Sequence, residues 1–220
     1  YAAIYHGCQA GLHVNTLHEI LQPRILRWDK KPQTRFFSTN TLGLWDATLG
    51  VISMYFDRQW TSPITDFSNE DTGFICVTAG PCLRTLCRWK EAIEATSQGL
   101  RLMEGQENWD GAARAGRILS QTYLVVGDLE KARFYGSRSV DDALKADKLT
   151  SASEKLNELY SRARYAEALH YGGYFDEAEA QFLKAIALLD DKTTEGGLVL
   201  MDGYSEYEYC NLLLSLNRYN

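Results

Sequence analysis

Small and apolar side chains recur at helical spacing between Ala112 and Val126. Ala113, Gly116, Leu119, Ser120, Tyr123 and Leu124 share one face there, which predicts an amphipathic helix. Gly127-Asp128 breaks the pattern and Leu129-Glu130-Lys131-Ala132 starts another, with Asp128 as N-cap and Glu130 as a favourable first-turn charge. A two-residue break is too short for anything except an antiparallel helical hairpin. The same grammar recurs along the chain. A helix over 160–171 runs into Gly172-Gly173 and a second follows from Phe175 to about Asp190. A helix over 72–86 runs into Cys87-Arg88, and Trp89-Lys90-Glu91-Ala92 opens its partner. Near the start, Tyr5 to Ala10 leads through Gly11 into a helix from about Val14, which Pro23 is expected to kink or end. Glu206 to Leu216 leads into Asn217-Arg218-Tyr219, so the last hairpin is expected to be incomplete.

The series is irregular. The small residues Ala92, Ala132 and Ala178 stand 40 and 46 positions apart, and the excess predicts long helices or extended loops near 146–153 and 191–203. Thr41–Phe56 reads as one helix between the polar segments Asp29–Asn40 and Asp57–Glu70. Pro81 interrupts a pattern that continues through Leu83 and Leu86, which predicts a bend within the helix. The expected fold is all-α: divergent helical repeats over 1–70, then hairpins over 71–220, joined in one continuous array.

The best copy of the pattern, Leu169, Gly173, Phe175, Ala178, Phe182 and Ala185, resembles the tetratricopeptide repeat. A second copy holds Leu119, Tyr123, Gly127, Leu129 and Ala132, with Gly136 and Ser139 in place of the usual aromatic and alanine. A third holds Gly80, Leu83, Trp89 and Ala92, with Cys87 at the turn and Thr96 where an aromatic is usual. The resemblance implies a right-handed solenoid of about five stacked hairpins. Several phrases, among them Gly7-Cys8-Gln9-Ala10-Gly11, Phe36-Phe37-Ser38-Thr39-Asn40 and Leu86-Cys87-Arg88-Trp89, are similar to a narrower group. These are irregular tetratricopeptide regions that follow the nucleotide-binding core of bacterial STAND ATPases of the NB-ARC or NACHT type. That resemblance implies a sensor and autoinhibitory role, in a setting such as anti-phage defence, beside a fused nucleotide-binding domain. No Gly-x-x-x-x-Gly-Lys-Ser/Thr sequence for that domain occurs here.

Charge and composition narrow the function further. Residues 1–60 carry six Lys/Arg against four Asp/Glu, which leaves −8 of the −6 total on residues 61–220. That balance argues against nucleic-acid binding. The basic run Arg24–Lys31, with Trp28 inside it, reads as a solvated helix end or loop. No window approaches a membrane span and no leader is evident, so a cytoplasmic protein or a piece of one is expected. The five cysteines, Cys8, Cys76, Cys82, Cys87 and Cys210, lie in apolar helical patterns and read as reduced core thiols.

No catalytic or cofactor motif emerges. His6, Cys8, His13 and His18 lack metal-ligand spacing and read as helix-face residues. Cys82 and Cys87 are five apart, which is wrong for a redox pair. No local nucleophile signature accompanies His170, and Asp141-Asp142 and Asp190-Asp191 read as solvated charges. The reading is therefore a non-enzyme without cofactor or metal, whose partner is a protein or peptide.

Thirteen Tyr and five Trp supply candidate contacts. In tetratricopeptide arrays the first helix of each hairpin lines the concave face. That geometry implies inward positions for Arg114, Arg117 and Gln121, then Tyr160, Ala163, Glu167 and His170, then Tyr204, Tyr207 and Asn211. Tyr and Arg are enriched among interface hot spots. The Lys/Asn clamp for chaperone C-termini is disfavoured, because Ala163 and Glu167 stand where it would need basic or amide groups. A free-standing adaptor that binds a peptide and a regulatory domain of a fused effector protease are the alternatives.

Overall fold

The computed structural model describes residues 1–28, 35–60, 62–64, 67–146, 152–188 and 203–217. Helices dominate them, as the periodicity predicts. Ten α-helices follow one another: α1 (Ala2–Gln9), α2 (His13–Thr16), α3 (Trp45–Ser53), α4 (Asn69–Thr85), α5 (Trp89–Gly105), α6 (Trp109–Val125), α7 (Leu129–Ala146), α8 (Ala152–Tyr171), α9 (Phe175–Ala187) and α10 (Gly203–Ser215). The chain forms two compact units, Tyr1–Leu102 and Met103–Asn220, which divide within α5.

One turn geometry recurs at the junctions. A residue with left-handed backbone closes the helix: Cys87 (φ 58°), Glu107 (φ 55°), Gly127 (φ 84°) and Gly173 (φ 81°). The next amide then reaches back across the last turn, Arg88 to Leu83, Asn108 to Met103, Asp128 to Tyr123 and Tyr174 to Leu169, each at 2.9 Å. This six-to-one bond satisfies a carbonyl that the helix end would otherwise leave open. Four residues further on, Ala92, Ala112, Ala132 and Ala178 donate to Arg88, Asn108, Asp128 and Tyr174, again at 2.9 Å. All four alanines are fully buried. Each of these helices thus opens with a bulky residue, two variable positions and a buried alanine. Side-chain caps add to the starts. Asp128 accepts from the Lys131 amide at 3.1 Å, as its N-cap position predicts, and Asn108 accepts from the Gly111 amide at 2.9 Å.

The N-terminal unit departs from the sequence expectation in three places. Pro23 does not end a simple α-helix. Instead α2 continues as a π-helical segment, Leu17–Leu26, which Arg27 closes in the left-handed region (φ 54°). Pro23 has no N–H to donate, so the wider turn occurs where the α ladder is already broken. The expected helix over Thr41–Phe56 is shorter, because Phe37–Thr41 forms a separate π-helical turn and Phe56 already lies in a strand. That strand, β1 (Phe56–Arg58), pairs antiparallel with β2 (Ser62–Pro63), a hairpin the helical pattern did not reveal. Its turn holds Trp60 at φ 71°, almost wholly buried. By contrast α4 runs unbroken through Pro81 to Thr85.

Ile4, Leu17, Leu21, Leu26, Ile52, Tyr55, Ile75 and Leu83 are buried in the N-terminal unit. The run Arg24–Lys31, within the described residues, is packed more than solvated. The Arg27 guanidinium lies 3.4 Å from the centre of the Phe37 ring, and Trp28 meets Phe36 and Phe74 edge-on. Cys8, Cys76 and Cys82 are buried free thiols as expected, whereas Cys87 and Cys210 are exposed. Cys87 is exposed because it occupies the tip of a turn.

In the C-terminal unit, α6 packs along α7, α7 on α8, and α8 on α9. The first helices also meet each other, α6 with α8 and α8 with α10. Small residues let the backbones approach. A Cβ on Gly136 would stand 3.0 Å from the Tyr165 ring and 3.1 Å from the Tyr165 Cα. Ala163, Ala166, Leu169, Ala178, Phe182 and Leu212 form one buried cluster, joined at its edge by Tyr165, Tyr209 and Leu216. The long connections near 147–151 and 191–202 lie outside the described residues.

Candidate functional site

The first helices α6, α8 and α10 carry the predicted contact residues, and the structure treats those residues unequally. Arg117 on α6 does not stand open. Its guanidinium donates to the Asn157 side-chain oxygen, to the Asn157 carbonyl at 3.1 Å and to Ser161 Oγ at 3.1 Å. Asn157 in turn donates through Nδ2 to Asp110 Oδ1 at 2.9 Å. Asp110, Arg117, Asn157 and Ser161 thus form a polar bridge between α6 and α8. Asn157 and Ser161 are buried, so this network holds the helices in register more than it offers a surface.

Arg114 and Gln121, on the same helix, are half-buried. Tyr160 is half-buried and packs against Leu159 and Ala185, on the side of α9. Glu167 is 3% exposed and accepts from Arg164 Nη1 at 3.4 Å. His170 is 7% exposed, and its Nε2 lies 3.1 Å from Ser215 Oγ on α10. Asn211 is half-buried, and its carbonyl accepts from Ser215 Oγ at 3.0 Å. Tyr207 is 63% exposed. Tyr204 lies outside the described side chains. Of the eight whose side chains are described, Tyr207 is therefore the openly presented one.

The seam between α8 and α10 concentrates charge that the sequence reading missed. Arg164 on α8 and Glu208 on α10 are buried beside Glu167 and His170. Burial lowers the His170 pKa below the ordinary histidine range, with the Glu167 carboxylate pulling the other way. Burial thus favours the neutral imidazole. Its Nδ1 is buried without a hydrogen-bond partner. The Ser215 hydroxyl lies within hydrogen-bond reach of both the Asn211 carbonyl and His170 Nε2.

Above this seam stand two exposed aromatics, Tyr171 at 49% and Tyr207 at 63%. Burial raises the Tyr171 hydroxyl pKa, and the Glu208 and Glu167 carboxylates add to the shift. Glu208 was legible in principle. It precedes Ser215 by seven residues, two helical turns on one face of α10. Its burial was not legible, since a glutamate in Tyr-Ser-Glu-Tyr-Glu-Tyr reads as a surface charge.

Of the four clustered candidates near the N-terminus, Cys8 and His18 meet separate partners. Cys8 Sγ lies 3.5 Å from Thr16 Oγ1, and His18 Nε2 lies 3.0 Å from Asp71 Oδ1. Asp71 also accepts from the Ser68 cap of α4 at 2.8 Å. No helix among the described residues is long and apolar enough to cross a membrane. No family model, curated protein or solved structure matches the chain.

Proposed function

We propose that the helical hairpins form a tetratricopeptide-like solenoid whose task is to recognise a protein or peptide without catalysing a reaction. One observation carries the reading. The same closing turn and the same buried alanine recur at the starts of α5, α6, α7 and α9, and each first helix of the C-terminal unit touches the next first helix. Repetition of one supersecondary unit, with neighbours touching in order, is the organisation of repeat scaffolds, which use extended surfaces to bind partners. The half-buried Arg114, Gln121 and Asn211, with exposed Tyr207, offer mixed polar and aromatic contacts suited to a peptide.

Within this reading the chain is the sensor and autoinhibitory region of a bacterial STAND ATPase. The phrase-level resemblance supports that setting, and a fused nucleotide-binding domain is the partner it requires.

Selection of displayed random dodecapeptides on the purified chain tests the recognition claim. A convergent peptide family is expected, with affinity reduced about tenfold by Tyr207→Ala or Asn211→Ala, the loss of one well-placed contact. Failure to converge, or hydrolase or transferase activity in the isolated chain, would overturn it. The setting is tested in the parent protein. Deleting these residues should release nucleotide hydrolysis, and a parent without a Walker A sequence refutes the assignment.

A further inference from the structure

Glu208 is the least explained charge in the C-terminal unit. It is 2% exposed; the Tyr171 hydroxyl donates to it, but its Oε2 is buried with no hydrogen-bond partner and no ion pair holds it among the described residues. Glu167, one helical turn before His170 on α8, is also buried but is answered by Arg164. Ser215 touches His170, and Glu208 lies on the same face of α10 as Ser215, two turns earlier. Glu208 therefore faces the α8 seam that carries Glu167. Two buried carboxylates lie there, and Arg164 pairs with Glu167.

Burying a carboxylate without a counter-charge is costly even when a hydroxyl bonds it, and such a group is retained where a cation completes it. A structural ion pair does not account for Glu208. A metal site is a poor fit, since no group of three His, Cys, Asp or Glu among the described residues could hold an ion. The surroundings fit an organic cation better. Tyr171 and Tyr207 are both substantially exposed beside the seam, and Tyr rings attract ammonium or guanidinium groups over their faces. The surplus of negative charge on residues 61–220 favours the approach of a basic segment.

We propose that the α8–α10 seam receives an Arg or Lys side chain of a peptide partner, with Glu208 as its counter-charge and Tyr171 and Tyr207 as its aromatic walls. This rests on the peptide-recognition reading and names the ligand chemistry. Arg117 is committed to the α6–α8 bridge and is not the group that meets this charge.

Peptides converged from the random dodecapeptide library are titrated against the wild type, Glu208→Gln and Tyr207→Ala. Each is compared with a version whose Arg or Lys is replaced by citrulline or norleucine. One basic residue should be common to the family. Its neutral replacement and Glu208→Gln should each weaken binding about tenfold or more, and their combination should weaken it no further than either alone. Tyr207→Ala should weaken binding about tenfold, and its exposed position keeps that readout valid if Glu208→Gln disturbs folding, as judged by circular dichroism. Converged peptides that need no basic residue, or losses that add independently, overturn this inference and leave the recognition reading standing. The absence of any converged peptide overturns both.

Discussion

A Cβ added to Gly116 would stand 2.9 Å from Ser139 Cβ and 3.2 Å from Ser139 Cα, so α6 and α7 cross with glycine as the only residue that fits. In an isolated helix, Gly→Ala gains up to about 1 kcal/mol. Here the close contact involves the facing backbone and a short side chain, neither of which can swing away. Gly116→Ala is expected to destabilise the C-terminal unit by about 1–3 kcal/mol, the usual cost of overpacking. Urea unfolding measures it, and a gain in stability would mean that the hairpin crosses less tightly.

The junction turns allow a test free of packing. A Cβ on Gly127 would meet nothing within 4 Å, so its cost is the left-handed backbone alone. Gly127→Ala is expected to lose about 1–2 kcal/mol. At Cys87 a side chain already bears that strain at φ 58°, and Cys87→Gly is expected to gain up to about 1 kcal/mol. Opposite signs at equivalent turns are the expected result. Equal signs would show that something other than φ governs these positions.

These turns also show what the sequence could disclose. Gly127 and Gly173 announce themselves, because glycine is the usual left-handed helix terminator. Glu107 does not, and the α5–α6 junction went unread although Trp109 and Ala112 repeat the spacing of Trp89 and Ala92. With that junction included, Cys87, Glu107 and Gly127 fall 20 residues apart, and the 40-residue interval between Ala92 and Ala132 becomes two helix-and-turn units. The N-terminal unit was read less well because π-helical turns and a short β-hairpin leave no periodic trace at such length. For the candidate site, helical spacing placed residues on faces. It could not say that Arg117 is spent on Asn157 or that Glu208 is buried, since both depend on neighbours distant in sequence.

The Arg117 bridge should behave as structure. Arg117→Met keeps much of the stem but leaves the buried Asn157 and Ser161 oxygens without their donor. Loss of a charged hydrogen-bond network costs about 1.5–3 kcal/mol. Arg117→Lys should recover part of that, because a single ammonium cannot reproduce the fork. Thermal unfolding of the three proteins orders them. If Arg117→Met instead abolished peptide binding with stability unchanged, the arginine would be a contact residue after all.

His170 makes the α8–α10 seam sensitive to acid. Burial depresses its pKa in the folded chain, against an ordinary value near ~6.5 in the unfolded one. Between those two values the unfolded chain binds more protons, so stability rises with pH across that window and falls as the solution is acidified below ~6.5. The loss levels off once pH passes below the folded pKa. Glu167 partly offsets the effect, since a carboxylate favours the imidazolium, while Ser215 can accept from either charge state. His170→Gln retains a donor toward Ser215 and removes the titration. The stability difference, wild type minus variant, should therefore decline between pH 7 and pH 5, read locally by hydrogen exchange of the α8 amides. A difference that stays constant or grows on acidification would mean that His170 is already charged in the folded protein.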